Sequence, residues 1–351
     1  MLKNWKRVFC LMLSCLLLLG TMTACGAGSS DSAPASTTTA PTEPAPTEPE
    51  GEEKVLRILT LGHSLGVDCG NMLNRVFASE GTGEYEEVYI ATLYYSGCPL
   101  YKHVNYLKAN SPEYNLYLSS SLTPDLPPTI MDGVTMYDAL KFNYWDIIIM
   151  MGGVFEIGVE ETYTNGDIQT IQAYVNENKL NPNAIFAWHM PWATPINNDL
   201  RDMYPKSPNT YYSNYEKFGN SRTTFYNSIT ACVGKYIMTD ETFQFLIPSG
   251  TALENALSSY LEETDIHRDY AHASDYGRII ASYTWYCAIM GVDQLNEVKM
   301  NDVPVKFLKN VSGGDLVLTD MQKAIILESV NNAIAEPLKM TQSQYTEAPA
   351  A

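Results

Sequence analysis

No two cysteines in this chain stand at Cys-x-x-Cys spacing, although there are seven, so neither a zinc ribbon nor a thioredoxin-type redox pair is available. His-Glu-x-x-His, EF-hand and P-loop strings are missing too, so the sequence points to no metal and no nucleotide cofactor. Basic residues are scarce: 22 Lys and Arg stand against 40 Asp and Glu, a formal charge of -18. So acidic a surface repels phosphate backbones, which argues against nucleic acid as a partner, and it offers no basic patch for anionic lipid. No internal repeat is visible. What the chain does have is apolar residue, 45% of 351, enough for one large core or two small ones. It also has 24 tyrosines, a residue suited to contacts with sugars or peptides.

The first residues read as an address. Lys3, Lys6 and Arg7 precede an apolar run of 13 residues, 8–20, too short for a membrane span. Met22-Thr23-Ala24-Cys25-Gly26 follows and resembles a bacterial lipobox. The resemblance implies a leader over 1–24, cleavage before Cys25, and lipidation of Cys25. Residues 25–54 then form a Pro/Thr/Glu tether with too few apolar side chains to fold. At about 3 Å per residue its reach is on the order of 90 Å. The expectation is an extracytoplasmic, membrane-anchored bacterial lipoprotein that touches the membrane through its lipid alone. Cys69, Cys98, Cys232 and Cys287 remain for the folded part, and they pair in one of three ways or stay as buried thiols.

Apolar runs of strand character occupy 55–61, 87–93, 145–151, 184–189 and 243–247. Helical periodicity marks 68–79, 167–178, 251–260 and 276–290. Strand runs alternating with helices indicate an α/β domain with a mainly parallel sheet covered on both faces. Residues 115–131 have room for a hairpin, 195–220 read as a polar, Tyr-rich insertion over the sheet's carboxyl edge, and 339–351 read as a flexible tail. One domain therefore spans 55–338.

Gly62-His63-Ser64-Leu65-Gly66 directly follows the first strand and precedes a helix. A serine there stands at the carboxyl edge of a parallel sheet, where open α/β folds bind ligands, and a helix N-terminus is at hand to stabilise an oxyanion. A nucleophilic serine needs an imidazole to take its proton and a carboxylate to hold the imidazole's tautomer. Arg268-Asp269-Tyr270-Ala271-His272 supplies both on one short loop, with Asp269 and His272 three residues apart. Gly-x-Ser-x-Gly is also the α/β-hydrolase elbow, but that elbow comes after several strands, whereas only the tether precedes this first one.

Together the two features resemble the SGNH (GDSL-type) hydrolase superfamily, and more closely its DUF4886-type lipoproteins. The resemblance runs over residues 55–291 and implies a three-layer α/β/α, flavodoxin-like fold. It assigns Ser64 as nucleophile, His272 as base and Asp269 as the orienting acid. Ser96-Gly97-Cys98-Pro99-Leu100 resembles the block whose glycine lends an oxyanion NH, here Gly97 beside that of Ser64. The stretch from Ile247 through Pro248, Gly250 and Ala252 resembles the "IPVGTA" string before the catalytic loop. The chain departs from the pattern twice. His63 replaces the usual Asp or Asn before the serine. Met151-Gly152-Gly153-Val154-Phe155 offers no amide side chain where the superfamily has Asn or Gln, which leaves the NH groups of Gly152 and Gly153 as substitutes.

The resulting expectation is a serine esterase removing acyl groups, acetyl above all, from a glycan or another small ester, with no cofactor. The alternative is a glycan-binding lipoprotein of the same fold with weakened catalysis. A two-lobed solute-binding lipoprotein is the third reading, and it requires two similar sheets. His63, His189 and Trp192 are expected to line the substrate pocket, and Trp188, Tyr204, Tyr211, Tyr212 and Tyr215 are candidates for an aromatic platform. His267 is a second possible base, and His103 a surface or pocket-edge residue.

Overall fold

Strand β1 (Val55–Gly62) is apolar on both faces because both faces are covered. Leu56 and Ile58 point into one core, Leu59 and Leu61 into the other. The computed structural model describes residues 54–154, 156–195, 217–300, 302–303 and 316–349. The leader, Cys25, the tether, Phe155 and residues 196–216 of the insertion lie outside the described residues, and Tyr204, Tyr211, Tyr212 and Tyr215 with them.

The central sheet has seven strands. Beside β1 they are β2 (Glu87–Tyr94), β3 (Tyr114–Ser120), β4 (Thr129–Val134), β5 (Ile147–Met150), β6 (Ile185–His189) and β7 (Phe243–Ile247), in the order β4-β3-β2-β1-β5-β6-β7. Five of them, β2-β1-β5-β6-β7, are parallel, and the β3–β4 hairpin closes one side antiparallel. Numbered among themselves, the parallel strands follow the flavodoxin-like order 2-1-3-4-5. The order reverses between β1 and β5, so the ligand-binding crevice of this topology opens at the end of β1.

On one face lie α1 (Ser64–Glu80), α7 (Ser249–Leu257), α9 (Asp275–Met290) and α10 (Asp320–Ala335). On the other lie α2 (Leu100–Ala109), α3 (Met136–Phe142), α5 (Asp167–Asn178) and α6 (Arg222–Cys232), the last running on into a π-helical turn, Val233–Ile237. The short α4 (Glu161–Thr164) and α8 (Glu263–Ile266) lie in connections, and β8 (Asp302–Val303) pairs with β9 (Leu316–Val317) away from the main sheet. This is the expected three-layer α/β/α arrangement around one principal sheet.

Two boundaries differ from the sequence reading. Helix α1 starts at Ser64 instead of Asp68, because the His63 ring caps it by accepting the Leu65 NH through Nδ1 at 3.3 Å. The tail is docked. Thr341 NH bonds the Asn255 side chain at 2.6 Å, the Tyr345 carbonyl takes the Tyr260 NH at 2.9 Å, and Ser343 is buried against Glu328. Its polar side chains looked solvated in the sequence but satisfy groups of α7 and α10. Cys69, Cys98, Cys232 and Cys287 are buried free thiols.

Candidate active site

Parallel register brings three strand ends together. Gly62 stands opposite Tyr94, and Leu61 opposite Met150. Tyr95 NH reaches the Gly62 carbonyl at 3.3 Å, so the turns after β1 and β2 leave the edge side by side. Ser64 therefore opens α1 between the Gly97 turn and the Gly152 turn. As the first helical residue its own NH has no intrahelical acceptor. Gly97 has φ 57, a left-handed conformation that favours glycine in the turn.

The glycines around Ser64 make room more than they supply unusual backbone angles. A Cβ at Gly62 or at Gly66 would each stand 2.9 Å from Met151 of the β5 loop. A Cβ at Gly153 would come 2.8 Å from the Pro99 Cα. The Gly-x-Ser-x-Gly string thus records how closely Met151 packs beneath the serine.

His272 comes from 208 residues away. Its Nε2 accepts from the Ser64 hydroxyl at 2.7 Å. Its Nδ1–H donates to Asp269, 2.8 Å from Oδ2 and 2.9 Å from Oδ1. Asp269 Oδ1 also accepts the NH groups of Ala271 at 2.9 Å and His272 at 2.8 Å. Burial pushes the Asp269 carboxyl up, but the bond to His272 and the two backbone NH groups outweigh it and hold the carboxyl at about 2. An ionised Asp269 fixes the tautomer in which Nε2 is a free base toward Ser64. The side chains of His272 and Asp269 keep 19% and 24% exposure, so the pair is open to solvent and substrate.

The loop that carries them is closed at its base by a bridge between His267 and Ala273 and by Arg268 NH on the His272 carbonyl at 3.0 Å. Beneath it lies Asp68, four residues after Ser64 on α1 and 2% exposed. Its carboxylate takes Arg268, Arg278 and the Ala273 NH. Burial pushes the Asp68 carboxyl up, yet Arg278 and Arg268 outweigh that and hold it below the usual range. The sequence reading missed this cluster. Its signal was an acid on the inward face of α1, beside Leu65, Cys69 and Met72, matched by Arg278, the one basic residue of the largely buried α9. Two buried, opposite charges on apolar helix faces have to find each other.

Three expected pocket residues have other work. His63 is fully buried, and its Nε2–H donates to the Gly152 carbonyl at 2.9 Å while Nδ1 caps α1. Burial pushes it down to about 4, against the pull of that bond, so it is a neutral strut with no nitrogen left for substrate. Trp192 is buried, and its indole NH holds the Ala271 carbonyl at 2.9 Å, bracing the loop from behind. Gly250 of the "IPVGTA"-like stretch exists for the same brace, since a Cβ there would collide with the Pro191 carbonyl. His189 is buried between Trp285 and Trp192, and its ring nitrogens have no hydrogen-bond partner among the described residues. Trp188 is likewise core, edge-on to Phe243.

The two other histidines are also interior. His103 bonds the Tyr114 hydroxyl at 2.9 Å, and His267 lies buried at the loop's base. Burial pushes each down to about 3, so neither is a proton carrier. Gly152 turns its carbonyl to His63, and Gly153 lies against Pro99. Among the described residues, no group of three or more His, Cys, Asp or Glu side chains is set to hold a metal ion. A cavity of about 510 Å³, lined by Leu56, Tyr85, Ile147, Ile185 and Phe245, belongs to the amino edge of the sheet, the far end of β1 from Ser64.

The sequence profile of DUF4886, a domain of unknown function, matches residues 57–309. A DUF4886 family protein from Bacteroides uniformis superposes with a TM-score of 0.66 at 22% identity, over 84% of this chain and 100% of that one. A candidate SGNH hydrolase from Slackia heliotrinireducens gives a TM-score of 0.41 at 13% identity, over 67% of this chain and 99% of its own. The Clostridium thermocellum family 3 carbohydrate esterase gives 0.38 at 11%, over 68% and 97%. No curated protein matches the chain.

Proposed function

The chain belongs to the DUF4886 family, and we propose that it is a serine-dependent carboxylic ester hydrolase acting through Ser64, His272 and Asp269. One observation carries the reading: Ser64, His272 and Asp269 form an unbroken hydrogen-bonded relay, 2.7 Å and 2.8 Å, at the sheet's switch point. Ser64 Oγ attacks the ester carbonyl while its proton passes to His272 Nε2. The imidazolium is stabilised by Asp269, which stays ionised. The tetrahedral oxyanion is held by the NH groups of Ser64 and Gly97. His272 returns the proton to the departing alkoxide, which leaves as the alcohol, and Ser64 keeps the acyl group. Water, deprotonated by the same imidazole, then releases the carboxylic acid and restores Ser64.

The substrate proposed is an O-acyl ester, acetyl above all, on a glycan. The SGNH resemblance supports that class, and so does the expected leader over 1–24 followed by a lipidated Cys25, which would anchor the enzyme outside the cell membrane. One observation favours a second reading, a glycan-binding protein with weakened turnover. The β5 loop offers Gly152, Gly153 and Val154 where the resemblance expects an amide donor, and losing one such donor costs about 100- to 1,000-fold in turnover.

Hydrolysis of p-nitrophenyl acetate by the protein and by Ser64→Ala separates the readings. The esterase reading expects activity in the parent that falls at least about 10,000-fold in the variant. Equal activity in both would remove Ser64 from the mechanism. A folded parent that binds acetylated glycan without cleaving it would favour the binding protein.

A further inference from the structure

We propose that Asp68 is a positioning residue, setting His272 against Ser64 by fastening both ends of the catalytic loop to the helix that carries the serine. The proposal rests on the reading of Ser64 and His272 as the reacting pair. The geometry is specific. Asp68 Oδ1 accepts from Arg278 Nη2 at 2.7 Å and Nε at 2.9 Å, and from Arg268 Nη2 at 3.1 Å. Oδ2 accepts from Arg268 Nη1 at 3.2 Å and from the Ala273 NH at 3.2 Å. Arg268 and Ala273 are the residues immediately before Asp269 and after His272, and Arg268 also donates to the Ala273 carbonyl. Both ends of the active stretch thus terminate on one carboxylate, one helical turn beyond Ser64.

A second feature separates positioning from mere folding. Asp269 bonds the His272 ring and the NH groups of Ala271 and His272, all inside the loop. The loop builds its own acid–imidazole pair. What it cannot build alone is the distance to Ser64, which depends on where it docks on α1. Asp68 controls that docking, and Arg278, itself paired to Asp275, ties the same carboxylate to the first turn of α9. An ion pair serving stability alone would need no bond to the Ala273 backbone and no partner adjoining Asp269.

The test is Asp68→Asn, which keeps the shape, removes the charge and turns an amide donor toward the guanidinium groups. A misplacement of about 1 Å at a reacting pair costs about 100-fold in rate. The expected result is a kcat reduced about 100-fold with KM within about twofold, because substrate contacts are untouched. Labelling of Ser64 by a fluorophosphonate, read by mass spectrometry, slows by a similar factor. The downfield proton resonance of His272 Nδ1–H persists, since its partner Asp269 travels with it.

Unchanged kcat and labelling would overturn the proposal. Loss of the Nδ1–H resonance along with reactivity would overturn it as well, because Asp68 would then be shaping the loop instead of docking it. A crystal structure of Asp68→Asn judges the pin whatever the parent's activity. A Ser64 Oγ to His272 Nε2 separation beyond hydrogen-bond reach supports it, and a separation still at 2.7 Å refutes it. A parent that the reagent does not label at Ser64 sinks the reading of the reacting pair instead. If Asp68→Asn does not fold, Arg268→Lys replaces it, keeping the charge but losing the two-pronged contact. It is expected to slow Ser64 labelling about tenfold, and full reactivity in that variant would likewise refute the pin.

Discussion

Two loops meet around Ser64, and they are built from opposite materials. The turn of residues 151–154 after β5 is small, neutral and buried. Gly152 gives its carbonyl to His63, Gly153 lies against Pro99, and Met151 fills the space that Gly62 and Gly66 leave open. The loop of residues 267–273 is charged and partly exposed, with Asp269 and His272 at its tip and Asp68, Arg268 and Arg278 at its root. The difference follows from what each does. A proton relay needs one ring nitrogen held within about 3 Å of one hydroxyl, and charged, two-pronged bonds give that precision. The neutral turn is packed close against the turns that hold Ser64 and Pro99, and close approach requires the absence of side chains.

The sharpest way to break this contrast uses the two histidines beside Ser64. On the proposed mechanism His272→Ala lowers kcat on p-nitrophenyl acetate by at least about 10,000-fold while thermal stability stays near the parent's. His63→Ala is expected to do the reverse. It loses a helix cap and a buried hydrogen bond, costing about 2–3 kcal/mol of stability, and keeps kcat within about tenfold. Denaturant unfolding and steady-state kinetics on the two variants decide it. Comparable losses of kcat in both would mean that the buried ring also takes part in the chemistry.

Acid stability sharpens the same contrast. His63, His103, His189 and His267 are held neutral by burial, at about 4, about 3, well below the ordinary value, and about 3. Unfolded, each titrates near about 6.5. Below that pH the unfolded chain binds protons that the folded chain refuses, so stability falls as pH drops from about 6.5 toward 4. Glu254 acts against this trend. Burial holds it up at about 7, so the folded state keeps one proton that the unfolded chain has released above about 4.5. Asp146, Glu156 and Asp275 are raised as well, but nearer their ordinary range, so the four rings set the sign and stability falls as pH drops through about 5.5. Urea unfolding between pH 5 and 7 measures it. A flat profile would mean that these rings titrate in the folded protein.

The smallest effect tests the neutral loop. Gly153→Ala sets a methyl 2.8 Å from the Pro99 Cα, which is backbone and cannot swing away. A loss of about 1–3 kcal/mol is expected, with the shift felt in the Gly97 turn that precedes Pro99. A variant as stable as the parent would show that this side is loosely packed, contrary to the contrast drawn here.

The sheet was readable from the chain because a strand covered on both faces must be apolar throughout. Residues 55–61, 87–93 and 145–151 advertise that over β1, β2 and β5. Ser64, Asp269 and His272 stood out as candidates, a serine directly after the first strand and an acid and an imidazole three residues apart, and it was the family resemblance that grouped them into one site. His63 and Trp192 were misread for one shared reason. A polar ring near a sheet edge looks the same in sequence whether it faces substrate or the back of a loop. The tail after residue 338 was misread because its serines, threonines and glutamines resemble solvated residues, and their partners on α7 and α10 are invisible along the chain.

What the sequence determined by itself is the alternation of strands and helices, the place of the serine at a strand end, and the acid–histidine spacing. Each is set by contacts within a few residues. What only the tertiary structure decided is which histidine reaches Ser64 and what holds it there. Five histidines were available, and four of them are sealed in the interior. The fifth meets the serine because Asp68, itself invisible as a site residue, gathers two arginines and a backbone NH from beyond residue 267 onto the turn after the nucleophile. Contacts across some 200 residues are set by how α1 and α9 pack on the sheet, and no local pattern records that.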